Sequence, residues 1–102
     1  MKVIVSYDSR VLEKTFPGIS RSAASHLFDR LDLLVNSPEE YIRDHYQYLR
    51  GYIRALFVEG YFLLDQYEDF IDEIEALAEE VDINNRRKLF TEFMLRLQKG
   101  AA

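Results

Sequence analysis

Residues 65–82, DQYEDFIDEIEALAEEVD, hold nine carboxylates and no basic side chain. Carboxylates at that density suit three kinds of chemistry: coordination of a hard cation, general acid–base work, or recognition of a cationic surface. Read as a helix, the run sets Glu68, Asp72, Glu75 and Glu79 in one stripe at i, i+4, i+7 and i+11. Asp65, Asp69, Glu73, Glu80 and Asp82 flank it. Asp72-x-x-Glu75 and Glu79-x-x-Asp82 have a spacing that carboxylate metal sites use, but no Glu-x-x-His occurs. The acids also lie opposite the apolar positions of the same helix, so they point outward. A nucleotide hydrolase built on Mg²⁺ would need a second acidic helix, and only Glu39, Glu40 and Asp44 could supply one. No metal and no cofactor is therefore expected, and that hydrolase is the lesser alternative.

An ordinary exposed helix mixes Lys and Arg among its acids, because like charges at i, i+4 cost a few tenths of a kcal/mol each. Here the repulsion runs the length of the segment. Two explanations follow. Arg86, Arg87, Lys88, Arg96 and Lys99 on the next helix, packed antiparallel, could neutralise the block within the fold. Otherwise Asp65, Glu68, Asp69, Asp72, Glu75 and Glu79 form an open acidic face for a basic protein partner.

Tyrosine is the second concentration. Six of the seven tyrosines fall between Tyr41 and Tyr67, interleaved with Arg43, Arg50 and Arg54. Tyr41, Tyr48 and Tyr52 with those three arginines are the candidates for a recognition or dimer surface, since Tyr and Arg are enriched at binding hot spots. Amphipathic packing with hydroxyls reaching water is the plainer explanation. His26 and His45 are isolated, and structural or surface roles are expected for both. No Ser-His-Asp arrangement can be assembled, and Gly18, Gly51, Gly60 and Gly100 are too scattered for a phosphate loop.

The elements that must position these residues read as mostly helical. Residues 2–7, KVIVSY, have the β-branched character of a short strand. Asp8 or Ser9 can cap a helical turn through RVLEKTF, which Pro17-Gly18 ends. Ser20 reads as the N-cap of a helix to about Val35, with Ala24, Leu27, Leu31 and Leu34 at helical spacing. In NSPEE, Ser37 reads as a cap, Pro38 as the first turn and Glu40 as the other half of a capping box. Helical periodicity then runs from Pro38 to about Leu64, weakened at Gly51 and Gly60. A hairpin competes there, because YIRALFV and YFLLDQY are two β-prone runs about Glu59-Gly60. Tyr67, Phe70, Ile71, Ile74, Leu77, Ala78 and Val81 mark the acidic segment as an amphipathic helix. Asn84 or Asn85 can cap a last helix to about Lys99, with Leu89, Phe90, Phe93, Met94 and Leu97 inward.

At 102 residues the chain is expected to be one domain, residues 1–102. Without cysteine it carries no disulfide or thiolate site, which suits a reducing, cytoplasmic setting. The opening MKVIVSYDSR is too short in apolar residues for a signal peptide or a membrane span. The net charge of −5 argues against nucleic acid, and its distribution is in blocks. Residues 55–85 carry ten acids and no base, while residues 86–102 carry five bases and one acid.

If the hairpin forms, the order of strand, helix pair and LRGYIRALFVEGYFLLDQYED resembles the small RelE/ParE-type toxins. The basic side chains that such toxins place on their strands are missing, with Phe62 and acids in their stead, so no activity carries over.

The expected fold is a bundle-like domain of four or five helices with one short N-terminal strand. The alternative is α+β, with a small antiparallel sheet that includes a hairpin around Glu59-Gly60. The expected function is a non-enzymatic protein-binding or inhibitory module, of the immunity, antitoxin-like or phage-inhibitor kind, engaging a basic partner. A homodimeric scaffold is the structural alternative. Membrane association is not expected.

Overall fold

The computed structural model describes residues 9–100, in which five helices follow one another: α1 Ser9–Thr15, α2 Arg21–Asn36, α3 Glu39–Val58, α4 Leu64–Glu79 and α5 Ile83–Gly100. The expected strand at 2–7 lies outside the described residues. Among those residues no strand forms, and no helix is long and apolar enough to cross a membrane.

Several boundaries follow from single residues. The Ser20 hydroxyl accepts the Ala23 N–H at 3.0 Å and starts α2, as its sequence suggests. Ser37 does not cap α3. Its hydroxyl turns back to donate to the Leu34 carbonyl at 3.1 Å, and Pro38 takes the N-cap position of α3 with no side-chain bond. The capping box with Glu40 is therefore absent. Asp82, rather than either asparagine, caps α5: its Oδ1 accepts from the Asn84 and Asn85 N–H groups at 2.8 and 3.3 Å.

The hairpin alternative does not form, and the toxin-like order of elements falls with it. YIRALFV is the last part of α3, and YFLLDQY is a turn followed by the start of α4. Nor is there one helix from Pro38 to Leu64. Gly60 stands at φ +91°, a left-handed conformation that only glycine adopts without strain, and it reverses the chain after Val58. The Gly60 and Tyr61 N–H groups bond back to the Phe57 and Leu56 carbonyls, closing the end of α3. Helix α4 then runs back along α3: Phe57 stacks on Tyr67 at 4.4 Å, and Tyr46 meets Glu75 further along.

One apolar core runs through all five helices. Helix α2 lies at its centre, with Leu27, Leu31 and Leu34 fully buried against Leu49 and Ile53 of α3, and Ile74 and Leu77 of α4 completing it. An aromatic cluster closes one side. Phe70 meets Phe16, Phe62 and Phe93 with ring centroids 6.1, 5.8 and 5.1 Å away. Helix α5 packs mainly on α1 and α2, and it meets α4 through Phe93 and Arg96. The two helices meet about midway along each, at Phe70–Phe93 and Glu73–Arg96.

Candidate functional site

Burial of Phe70, Ile74 and Leu77 fixes the rotation of α4, and the helical repeat carries its acids to the far side. Asp65, Glu68, Asp69, Asp72, Glu75 and Glu79 are all exposed. Glu73 is half-buried and paired with Arg96, the one α5 cation that reaches the acidic block among the described residues. Glu75 accepts a hydrogen bond from the Tyr46 hydroxyl at 3.2 Å.

The Arg86-Arg87-Lys88 run turns away from this face. Arg86 is 2% exposed, and its Nη1 donates to the Leu34 carbonyl at the end of α2, 2.8 Å away. The Arg87 Nε donates to Asn36 Oδ1 at 2.8 Å, and Lys88 is exposed. Two of the cations that could neutralise α4 are thus engaged with the C-terminal end of α2. For Arg86 the setting is local: Pro38, four residues after Leu34, has no N–H to offer that carbonyl, which accepts from the Arg86 and Ser37 side chains instead.

The tyrosines and arginines of α3 do not share one face. Tyr48 and Tyr52 lean on α2: the Tyr48 hydroxyl and His26 Nε2 are 2.9 Å apart, and the Tyr52 hydroxyl donates to the Ala23 carbonyl at 3.3 Å. The Arg30 guanidinium sits 3.7 Å from the centre of the Tyr48 ring. Tyr41, at the start of the same stripe, is half exposed. Arg43, Arg50 and Arg54 lie on the opposite flank, all exposed, and form no ion pair among the described residues. Arg43 lines an open groove of about 490 Å³ between α3 and α4, together with Tyr46, Glu75 and Glu79. The resulting surface has a basic stripe on α3 beside an acidic one on α4.

No group of three or more His, Asp or Glu side chains converges on a common point among the described residues. His45 is partly exposed on α3, and His26 belongs to the Tyr48 contact. The Tyr46–Glu75 link and the His26–Tyr48–Arg30 cluster were not anticipated from the sequence. Each joins residues of two different helices, eighteen to twenty-nine positions apart, and no spacing within one helix marks the pairing.

Burial raises the Tyr46 pKa above its ordinary 10.0, and the hydrogen bond to Glu75 and that carboxylate's charge raise it further. Arg50 and Arg43 pull it partly back. Burial likewise raises Tyr52, with Tyr48 and Tyr61 adding to it. The folded chain keeps these protons to higher pH than the unfolded chain does. Their contribution to stability is therefore complete below the ordinary tyrosine range and is lost as pH rises through the raised values. A Tyr46→Phe/Tyr52→Phe variant is expected to show a smaller fall in Tm between roughly pH 9 and pH 11 than the unchanged protein. Equal falls in the two would refute the assignment.

No protein-family model matches this chain, and no curated protein or solved structure matches it either.

Proposed function

We propose that this protein is a non-enzymatic protein-binding module whose α4 carboxylates receive a basic surface of another protein. The observation that carries the reading is the direction taken by the α5 cations. Arg86 and Arg87 bond to the end of α2, and Arg96 pairs with Glu73. That leaves Asp65, Glu68, Asp69, Asp72 and Glu79 in water without an ion pair among the described residues. A stripe that repels itself along a helix and is left without counter-charges suits selection and steering of a cationic partner. An inhibitor covering a basic functional surface is the finer form of the same reading.

The test replaces Glu68, Asp72, Glu75 and Glu79 by Gln. Removing the repulsions at 68/72 and 75/79 should leave stability unchanged or raise it by up to about 1 kcal/mol. Proteins captured from the source cell by the unchanged chain at low salt should be lost with the variant, and lost from the unchanged chain at high salt. Capture that is indifferent both to the amides and to salt would reject the acidic-face mechanism.

A further inference from the structure

The turn between α3 and α4 keeps large apolar side chains in water. Val58 is 76% exposed, Leu63 67% and Leu64 59%, and all three fall within seven residues. Leu63 also occupies the N-cap position of α4 in extended conformation, with no side-chain bond to the first turn. Ser, Thr, Asp or Asn would satisfy those N–H groups, and leucine cannot. Gln66 partly compensates by accepting the Leu63 N–H at 2.8 Å. The turn is open on its outer side: nothing lies within 4 Å of where a Cβ on Gly60 would stand. Neither the core nor the helix gains from these side chains where they are.

Their surroundings are charged with one sign in the majority. Glu59, Asp65 and Glu68 are exposed beside them, against Arg54 one turn earlier on α3. We infer that this turn anchors the α4 interface: Val58, Leu63 and Leu64 enter an apolar pocket of the partner protein, whose edge carries Lys or Arg facing Glu59, Asp65 and Glu68. This rests on the acidic-face reading and adds the apolar centre that such an interface needs, since charge alone sets rate and selectivity more than affinity. A second copy of the chain does not fit, because a two-fold contact between turns would set the acidic rims against each other. An anionic lipid surface is repelled by the same rim.

Two synthetic peptides of about 18 residues, long enough to hold a helix, test the chemistry. One carries Leu on one face and Lys on the other; its twin has Gln in place of every Leu. At about 0.15 M salt the full chain should bind the Leu/Lys peptide at least ~10-fold more tightly, with amide resonances shifting across residues 58–64. In Val58→Ser/Leu63→Ser that preference should vanish while binding of the Lys/Gln twin is unchanged. Ser at 63 supplies the missing cap, so the variant is expected to stay folded, which far-UV circular dichroism checks.

Equal binding of the two peptides, or a preference that survives the double substitution, overturns the anchor. If the Lys/Gln twin still binds, and loses affinity with the α4 amide variant, the acidic face stands without it. Failure of both peptides to bind rejects both. Sedimentation showing a dimer that Leu63→Ser dissolves would replace the partner with a second copy and overturn the proposal.

Discussion

Replacing Phe70 by Ala is expected to lower the stability of the domain by about 3–5 kcal/mol. The ring is 1% exposed and touches three others, each from a different part of the chain. Phe16 follows α1, Phe62 lies in the turn before α4, and Phe93 belongs to α5, with centroids 5.1–6.1 Å away. Phe16 and Phe62 also meet edge-on at 4.6 Å, so the cavity left by Ala would have aromatic walls that already hold one another apart. Such walls collapse poorly, which places the cost toward the upper part of the range. A domain of this size has a total stability of about 5–15 kcal/mol, so the variant should unfold well below the midpoint of the unchanged protein. Urea unfolding followed by circular dichroism measures it, with Phe70→Leu as a milder comparison. A loss under about 1 kcal/mol would mean that the cluster does not hold α4 in place.

The second large effect is expected at Arg86, and its size depends on the replacement. Arg86→Ala should cost about 2–4 kcal/mol, because a long buried side chain disappears from between α2 and α5. Arg86→Met should cost no more than about 1 kcal/mol, since it keeps most of the volume and removes a buried charge. Among the described residues that charge has no carboxylate within ion-pair reach, and its Nε lacks a hydrogen-bond partner. The Leu34 carbonyl would still accept from Ser37, at 3.1 Å. Removing that donor as well makes the penalty appear. Ser37→Ala should be worse by about 1–2 kcal/mol in the Arg86→Met background than alone, because the carbonyl then has no donor. Urea midpoints of the two single variants and the double variant close the cycle. Additive costs would show that the two side chains do not share the carbonyl.

What could be read in advance was the angular position of residues on their own helix. The i, i+3, i+4 pattern from Tyr67 to Ala78 located α4 and its inward face, and Ser20 located the start of α2; Val81, expected to continue the inward face, lies past the end of α4 and is exposed. The two stripes of α3 were equally legible: Tyr41, Tyr48, Tyr52 and Arg43, Arg50, Arg54 have identical spacing displaced by two residues. Two residues are about 200° of helix, so the stripes must face apart. Grouping them as one surface overlooked this. The end of α3 was harder, because Val, Tyr and Phe about Glu59-Gly60 satisfy strand and helix preferences alike, and what separates a helical reversal from a hairpin is the helical backbone of Glu59 with the Gly60 and Tyr61 N–H groups bonded back to Phe57 and Leu56. The fate of Arg86 depends on a carbonyl fifty-two positions earlier, and no local pattern encodes that pairing. Ser37 was drawn the wrong way for a related reason: it sits between two helices, and the end lacking a donor claimed it.

The acidic face exists only because the rest of the domain does. Glu68 opposes Asp72 and Glu75 opposes Glu79 at one helical turn, while Glu79 and Glu80 add negative charge to the negative end of the dipole. The first turn has no side-chain cap either. Left to its own preferences, the segment 64–79 would be a solvated, extended polyanion with its carboxylates at no fixed spacing. Phe70, Ile74 and Leu77, sunk among their neighbours, impose the order. The even row of charge offered to a partner is a tertiary feature, and the linear segment carries its letters without its geometry.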